Sequence, residues 1–256
     1  FDKINGNNLW TEAIRKELAV MIQYEVFEVH TDINHFTKEE GWQFAKLIWI
    51  FAVKHDGRHK ARLCIGGHTT IADEFDTYAS TVKPENVRLQ LFLSAKEGME
   101  MISGDIGSAY LNAYTKEKIW TRLDAGFGPD LEGKVARIIK ALYGLKTSAN
   151  VWYFHLCDTL REMGFTQSKL DNAIWYRLRE DESQYDYFSH HVDDFLLSGD
   201  KSIKRWIDML ELSYTITGKG EPKYHLGHDI DKINKNCYKL GSRTYVKNAL
   251  DKVKRI

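Results

Sequence analysis

The sequence predicts an α+β protein, an antiparallel sheet with several helices on one side. Three observations predict it. Segments with apolar residues every third or fourth position are interleaved with segments of β-branched and aromatic residues. Turn signals follow several strands closely, as hairpins require. There is neither a repeat nor a low-complexity stretch that would mark a solenoid or a linker.

The elements follow in order. Trp10, Ile14, Leu18 and Met21/Ile22 recur at helical spacing after Asn8, a residue suited to an N-cap. Leu47 to Val53 (LIWIFAV) reads as a strand, His55-Asp56-Gly57-Arg58 as a turn and Ala61 to Ile65 as the returning strand. On that hairpin Arg58, Lys60 and Arg62 share one face and Ala61, Leu63 and Ile65 the other. Pro84 suits the first turn of a helix carrying Val87, Leu91 and Ala95. Met99 to Asp105 reads as a strand ending on a carboxylate, and Ile119 to Leu123 and Val135 to Ile139 as short strands.

After Gly144 a helix carries Trp152, Leu156, Leu160 and Met163, stopped by Gly164. Ala173 to Leu178 and Tyr185 to Val192 are strands; Asp193-Asp194 interrupts, and Phe195 to Leu197 continues. Ile203, Trp206/Ile207 and Leu210 mark a helix. Tyr224 to Ile233 and Cys237 to Leu240 form a hairpin, and a last helix carries Tyr245, Ala249/Leu250 and Val253 after Ser242.

Composition narrows the function classes. With 43% hydrophobic and 28% charged residues, the chain is neither disordered nor membrane-like, and LIWIFAV is far too short to span a bilayer. Lys+Arg and Asp+Glu are both 36, so a nucleic-acid partner needs a local basic face rather than net charge. Three cysteines give no disulfide framework and fit a reducing compartment. The start at Phe1 and a helical pattern running to Ile256 suggest a piece of a longer polypeptide.

The chemistry concentrates in carboxylates. Asp193 and Asp194 are adjacent within apolar strand sequence, and Asp105 ends another strand. Two carboxylates about 4 Å apart repel by roughly 4 kcal/mol at an effective dielectric near 20. Protonation, divergence or a divalent cation relieves that. Three carboxylates on strand ends suit Mg²⁺; from these residues alone a turn with two solvated acids is the commoner reading. Likewise the Lys and Arg of the first hairpin suit phosphates or simply water. His190, His191, Asp193 and Asp194, or His225, His228 and Asp229, are further candidate metal clusters, although strand alternation sends His190 and His191 to opposite faces.

Six segments in order carry a resemblance. They are Trp10 to Leu18 (W-x-x-A-x-x-x-E-L); Val53-Lys54-His55-Asp56-Gly57 with Lys60-Ala61-Arg62-Leu63; and Asp105-Ile106-Gly107-Ser108-Ala109-Tyr110-Leu111-Asn112. The others are Leu142-Tyr143-Gly144-Leu145-Lys146 with Trp152; His191-Val192-Asp193-Asp194 with Leu196 to Gly199; and Gly220 to Gly227. Together the chain resembles the reverse transcriptase domain of copia-type LTR retrotransposons, a segment of a Pol polyprotein.

The resemblance implies a right-hand polymerase with fingers and palm, and with thumb and RNase H absent or truncated. Residues 1–98 would be mainly fingers and 99–218 mainly palm, with part of 123–150 returning to the fingers. Residues 219–256 would be a primer-contacting hairpin and a helix leading toward a missing thumb. It implies RNA-directed DNA polymerase activity with two Mg²⁺ ions, or Mn²⁺ in their place, held by Asp105, Asp193, Asp194 and the Ile106 carbonyl. Lys54, Arg62, Tyr110, Tyr143, Gly144 and Lys146 would bind the deoxynucleoside triphosphate, Tyr110 excluding a 2′-hydroxyl. His191, Glu221, Tyr224, Leu226 and Gly227 would contact primer or template.

Partners would be an RNA template, a DNA primer and the RNase H and integrase segments of the polyprotein, with no membrane. The setting would be intracellular, in a cytoplasmic virus-like particle or the nucleus. Departures from the family pattern are His191 for Tyr, Thr147 for Gln, Ala149 for Pro, Asn150 for Arg, and Asp124-Ala125 for Gln-Pro. A basic residue is also missing at Gly66-Gly67. They keep open a catalytically decayed relic that only binds nucleic acid or only folds.

Overall fold

The computed structural model describes residues 2–54, 57–71, 77–201 and 203–253. His55 and Asp56 of the first hairpin's turn therefore lie outside the described residues. Contacts divide the chain into two compact units, Phe1–Ala79 with Ala109–His155 and Ser80–Ser108 with Leu156–Ile256. Elements are numbered along the chain.

The first unit holds α1 (Asp2–Asn5), α2 (Leu9–Gln23), β1 (Phe27–His30), β2 (Gln43–Phe44), β3 (Leu47–Val53), β4 (His59–Ile65), β6 (Ile119–Arg122) and β7 (Val135–Ile138). The start of α4 (Ser148–Glu162) also belongs to it. Asn8 occupies the N-cap of α2 but its side chain makes no cap bond. The Asp2 carboxylate takes that role instead, accepting from Trp10 N, Thr11 N and Thr11 Oγ1. This satisfies amides that a helix start leaves unpaired.

β3 and β4 pair antiparallel from Leu47↔Ile65 to Val53↔His59. A second sheet has the order β1-β7-β6-β2, with β2 parallel to β6. Met21, Val26, Leu63, Ile119, Ile138 and Leu142 close the core between them. β1 and β2 are absent from the sequence reading, being too short for a periodic signal.

The second unit contains α3 (Pro84–Lys96), β5 (Glu100–Ile106), the rest of α4, β8 (Thr166–Gln167), β9 (Ile174–Leu178), β10 (Tyr185–His191) and β11 (Asp194–Gly199). It continues through α5 (Ile203–Ser213), β12 (Ile216–Gly220), β13 (Tyr224–His225), β14 (His228–Asn234), β15 (Cys237–Gly241) and α6 (Arg243–Val253). The main sheet runs β12-β5-β11-β10-β9-β8, antiparallel throughout.

Helices cover both of its faces, not one as expected. Gln90 of α3 bonds to Ser189 and Ser198 on one face. On the other, Phe188 meets Phe195 and Phe165, and Phe165 meets Trp206 of α5. β11 is accordingly buried from Phe195 to Gly199.

The expected single strand from Tyr224 to Ile233 is a hairpin. Leu226 and Gly227 both have positive φ, at 46° and 84°, which is the pattern of a type I′ turn. Its strands and β15 form a three-stranded sheet. No helix among the described residues is long and apolar enough to cross a membrane.

Candidate active site

The second unit assembles the carboxylates. β10 and β11 pair with His191↔Asp194 as the last rung, which leaves Val192-Asp193 as a two-residue turn. Only Val192 has positive φ, 61°, a place where such turns ordinarily use glycine. A β-branched residue held there costs on the order of 1–3 kcal/mol, a strain typical of functional turns.

On its other side β11 pairs with β5, and the register sets Asp194 opposite Asp105. Ile106 N donates to Asp193 O at 2.8 Å. Residues distant in sequence thus meet because two strand ends and one turn share a sheet edge. Burial, then the Asp193 and Asp105 charges, push the Asp194 carboxyl above its ordinary value. Thr217 Oγ1, on β12, donates to Asp105 Oδ2 at 3.1 Å. Sequence reasoning missed Thr217, because Ile-Thr-Gly-Lys-Gly lacks the apolar alternation that marks a strand.

Among the described residues, no group of three or more His, Cys, Asp or Glu side chains is arranged to hold a metal. Neither histidine cluster is therefore a preformed site, and Asp105, Asp193 and Asp194 are not in a metal-holding arrangement either. The carboxylates are another matter of chemistry. All are hard oxygen donors, and the mutual repulsion that raises Asp194 is what a divalent cation relieves, so the donor set fits Mg²⁺. The Ile106 side chain is buried, and its amide is engaged with Asp193.

Beside the turn lie histidines. The His191 Nδ1 atom is buried without a hydrogen-bond partner among the described residues. Burial, then the nearby His191, push His225 down to about 4. Glu221 pairs with Lys232 at 3.0 Å, and Tyr224 stands opposite Asp229.

The first unit gathers most of the other expected residues around Tyr143. Its ring lies 5.0 Å from that of Tyr110, and the Arg62 guanidinium sits 4.4 Å above it. Tyr143 O accepts from Ile65 N at 2.7 Å, tying this loop to the end of β4. Gly144 has φ 97°, and a Cβ there would come 2.0 Å from Ile65 O. A Cβ on Gly67 would come 2.1 Å from Gly144 O. Two glycines therefore let two backbone segments, at 65–67 and 143–144, touch, which gives Gly67 a role where a basic residue was expected.

Lys146 does not point free: its Nζ donates to Thr70 O at 2.5 Å. Lys54 lies apart from Tyr143, at the hairpin tip beside α2.

Three departures from the family pattern, Thr147, Asn150 and Asp124, are accommodated by local bonds. Thr147 N and Oγ1 both donate to Glu117. Asn150 Nδ2 donates to Tyr78 O, and Asp124 accepts from Trp49 Nε1 and Gly126 N.

The Reverse transcriptase (RNA-dependent DNA polymerase) family matches residues 36–255. The chain belongs to this family. The match begins beyond α2, later than the motif around Trp10 suggested. Among curated relatives, the chain is 26% identical over 212 residues to the Retrovirus-related Pol polyprotein from transposon RE2 of Arabidopsis thaliana, covering 79% of this chain and 14% of the polyprotein. It is 27% identical over 221 residues to that from transposon TNT 1-94 of Nicotiana tabacum, covering 81% and 16%. With the Transposon Ty1-MR1 Gag-Pol polyprotein of Saccharomyces cerevisiae it shares 29% over 234 residues, covering 89% and 13%.

The reverse transcriptase domain thus spans roughly a seventh of the relatives it matches. The structure of a foamy viral protease-reverse transcriptase in complex with double-stranded DNA is similar in fold. Its TM-score is 0.51 at 14% identity, over 92% of this chain and 36% of that one. The expected α+β polymerase fold and copia-type membership both stand.

Proposed function

We propose that this chain is the RNA-directed DNA polymerase segment of a retrotransposon Pol polyprotein, extending a DNA primer on an RNA template with deoxynucleoside triphosphates. The first unit corresponds to fingers and the second to palm. One observation carries the reading: strand register sets Asp194 opposite Asp105 while Asp193 occupies the adjoining turn.

Mg²⁺ bound by Asp105 and Asp193, with Asp194 completing the acidic set, would acidify the primer hydroxyl and neutralise charge on the departing pyrophosphate. The chain's own residues do the rest by placement. Thr217 orients the Asp105 carboxylate by donating to one of its oxygens. Arg62, held over Tyr143, offers a forked donor to phosphate oxygens. Tyr110, packed against Tyr143, presents a ring where a 2′-hydroxyl would clash. Such positioning and charge stabilisation supply most of the acceleration in phosphoryl-type transfer. The half-buried His191 ring beside the turn favours primer contact, with Tyr224, Leu226, Gly227 and Glu221 on the neighbouring hairpin.

Primer extension on an RNA template with Mg²⁺ tests this. Asp193→Asn and Asp105→Asn are each expected to reduce extension by about 10³-fold, roughly 4 kcal/mol. Unchanged extension in either variant removes that residue from the site. Absence of extension by the wild type with Mg²⁺ or Mn²⁺, primer–template binding being retained, would establish the decayed relic instead.

A further inference from the structure

The loop that carries Tyr143 and Lys146 is pinned at both ends within the first unit. At its start Ile65 N donates to Tyr143 O at 2.7 Å, and a Cβ on Gly67 would come 2.1 Å from Gly144 O. At its end Thr147 N and Oγ1 donate to a single oxygen, Glu117 Oε1, at 3.2 and 2.6 Å. Between the two pins Lys146 Nζ donates to Thr70 O at 2.5 Å.

Glu117 reaches both of these segments. Its Oε2 stands 3.5 Å from Thr70 Oγ1, whose proton also finds Gly67 O at 2.9 Å. The carboxylate has a firm base. Glu117 N donates to Thr115 Oγ1 at 3.1 Å, and two residues further on Ile119 is fully buried at the start of β6. Thr147 is buried, so its amide and hydroxyl need the acceptor that Glu117 supplies. Thr147 also stands at the start of α4, its carbonyl accepting from Val151 N at 2.9 Å. One carboxylate on a sheet strand thus holds both the helix start and the Lys146 loop, the kind of support that a precise site needs behind it.

We infer that Glu117 is a positioning residue of the nucleotide pocket, setting Lys146 through its hydrogen bonds to Thr147 and not through its charge. The inference rests on the proposed function for the nucleotide role of Lys146. On this account Gln can replace Glu. Its carbonyl oxygen accepts both Thr147 bonds, and its amide donates to Thr70 Oγ1, which keeps lone pairs free for it. Ala instead leaves two buried Thr147 donors without their acceptor.

Single-turnover primer extension separates the nucleotide Kd from the rate of the chemical step. Glu117→Ala is expected to raise the nucleotide Kd about tenfold while primer–template affinity stays unchanged. Glu117→Gln should restore the wild-type Kd. Thr147→Val, which removes one of the two bonds, should raise it about threefold. Hydrogen exchange gives a readout independent of activity. Amides 143–147 should lose about tenfold in protection in Glu117→Ala and keep it in Glu117→Gln.

An unchanged nucleotide Kd in Glu117→Ala overturns the inference. So does a Glu117→Gln variant that behaves like Glu117→Ala, because charge would then be the cause. Equal losses of nucleotide and primer–template binding would assign Glu117 to folding alone and overturn it too. Should Glu117→Ala not fold, an unchanged Kd in Thr147→Val does the same. A wild type that extends no primer defeats the proposed function, and exchange then decides this inference separately: unchanged protection in Glu117→Ala removes Glu117 from the loop's support.

Discussion

Asp194 shows a carboxylate of the candidate site held against its own preference. It stands opposite Asp105, follows Asp193, and has its carboxyl raised by burial and by both neighbours. A carboxyl raised in the folded state favours folding while protonated, below the unfolded value near 4; the benefit disappears as pH rises through the folded value. At neutral pH the metal-free protein therefore carries unrelieved repulsion. Asp194→Asn should stabilise it by about 0.5–1 kcal/mol at pH 7.5, a figure kept low because the side chain is only partly shielded from solvent and so is screened. The gain should vanish by pH 4, and Mg²⁺ should stabilise wild type more than the variant. Urea unfolding with and without Mg²⁺ measures both. A variant less stable than wild type at pH 7.5 would contradict this account of the turn.

Among the elements, long periodic helices and the apolar strands were legible because burial writes 3.6- and 2-residue patterns directly into sequence. Leu47–Val53 and Pro84–Lys96 are examples. The turn beside the Asp pair was legible to within one residue, since charge breaks an apolar run there, although it falls at Val192-Asp193 and Asp194 already belongs to β11. What escaped was decided by tertiary context. β12 exists because β5 offers it an open edge, and Tyr224–Asn234 folds back at Leu226-Gly227 although Leu rarely takes positive φ.

The covering of both sheet faces escaped for a similar reason, because its key residue is polar. Gln90, fully buried on α3, donates to Leu196 O at 3.0 Å and Ser198 Oγ at 2.9 Å, and accepts from Ser189 Oγ at 2.6 Å. It clamps the helix to the hairpin that carries the Asp pair. Gly199 belongs to the same hairpin: a Cβ there would come 2.8 Å from Asp186 Oδ1, which receives Arg179. Gln90→Ala leaves two buried hydroxyls short of a partner and should cost about 2–4 kcal/mol in chemical denaturation. A loss under about 0.5 kcal/mol would mean that α3 is held by its apolar contacts alone.

At the scale of the whole molecule, acid sensitivity follows from two histidines buried where they cannot easily charge. Burial pushes His190 down to about 4, with Asp171 pulling it up and His191 pushing it further down. Burial and then His191 bring His225 to about 4. Their unfolded values lie near 6.5. A histidine depressed in the fold contributes stability above the unfolded value, and the contribution is lost as pH falls toward the folded one. Stability should therefore fall between about pH 6.5 and 4, by on the order of 2–3 kcal/mol per histidine. Carboxylates held low, such as Asp229 with its bonds from Thr244, act in the same direction but only at lower pH. The two causes thus occupy separate windows. Urea midpoints at pH 7.5, 6, 5 and 4 should decline steadily in the wild type, and His225→Gln should remove about half of the decline above pH 4. A flat wild-type profile down to pH 4 would mean that both rings accept protons without opening the palm-like unit. The histidines near the Val192-Asp193 turn would then have no part in its stability.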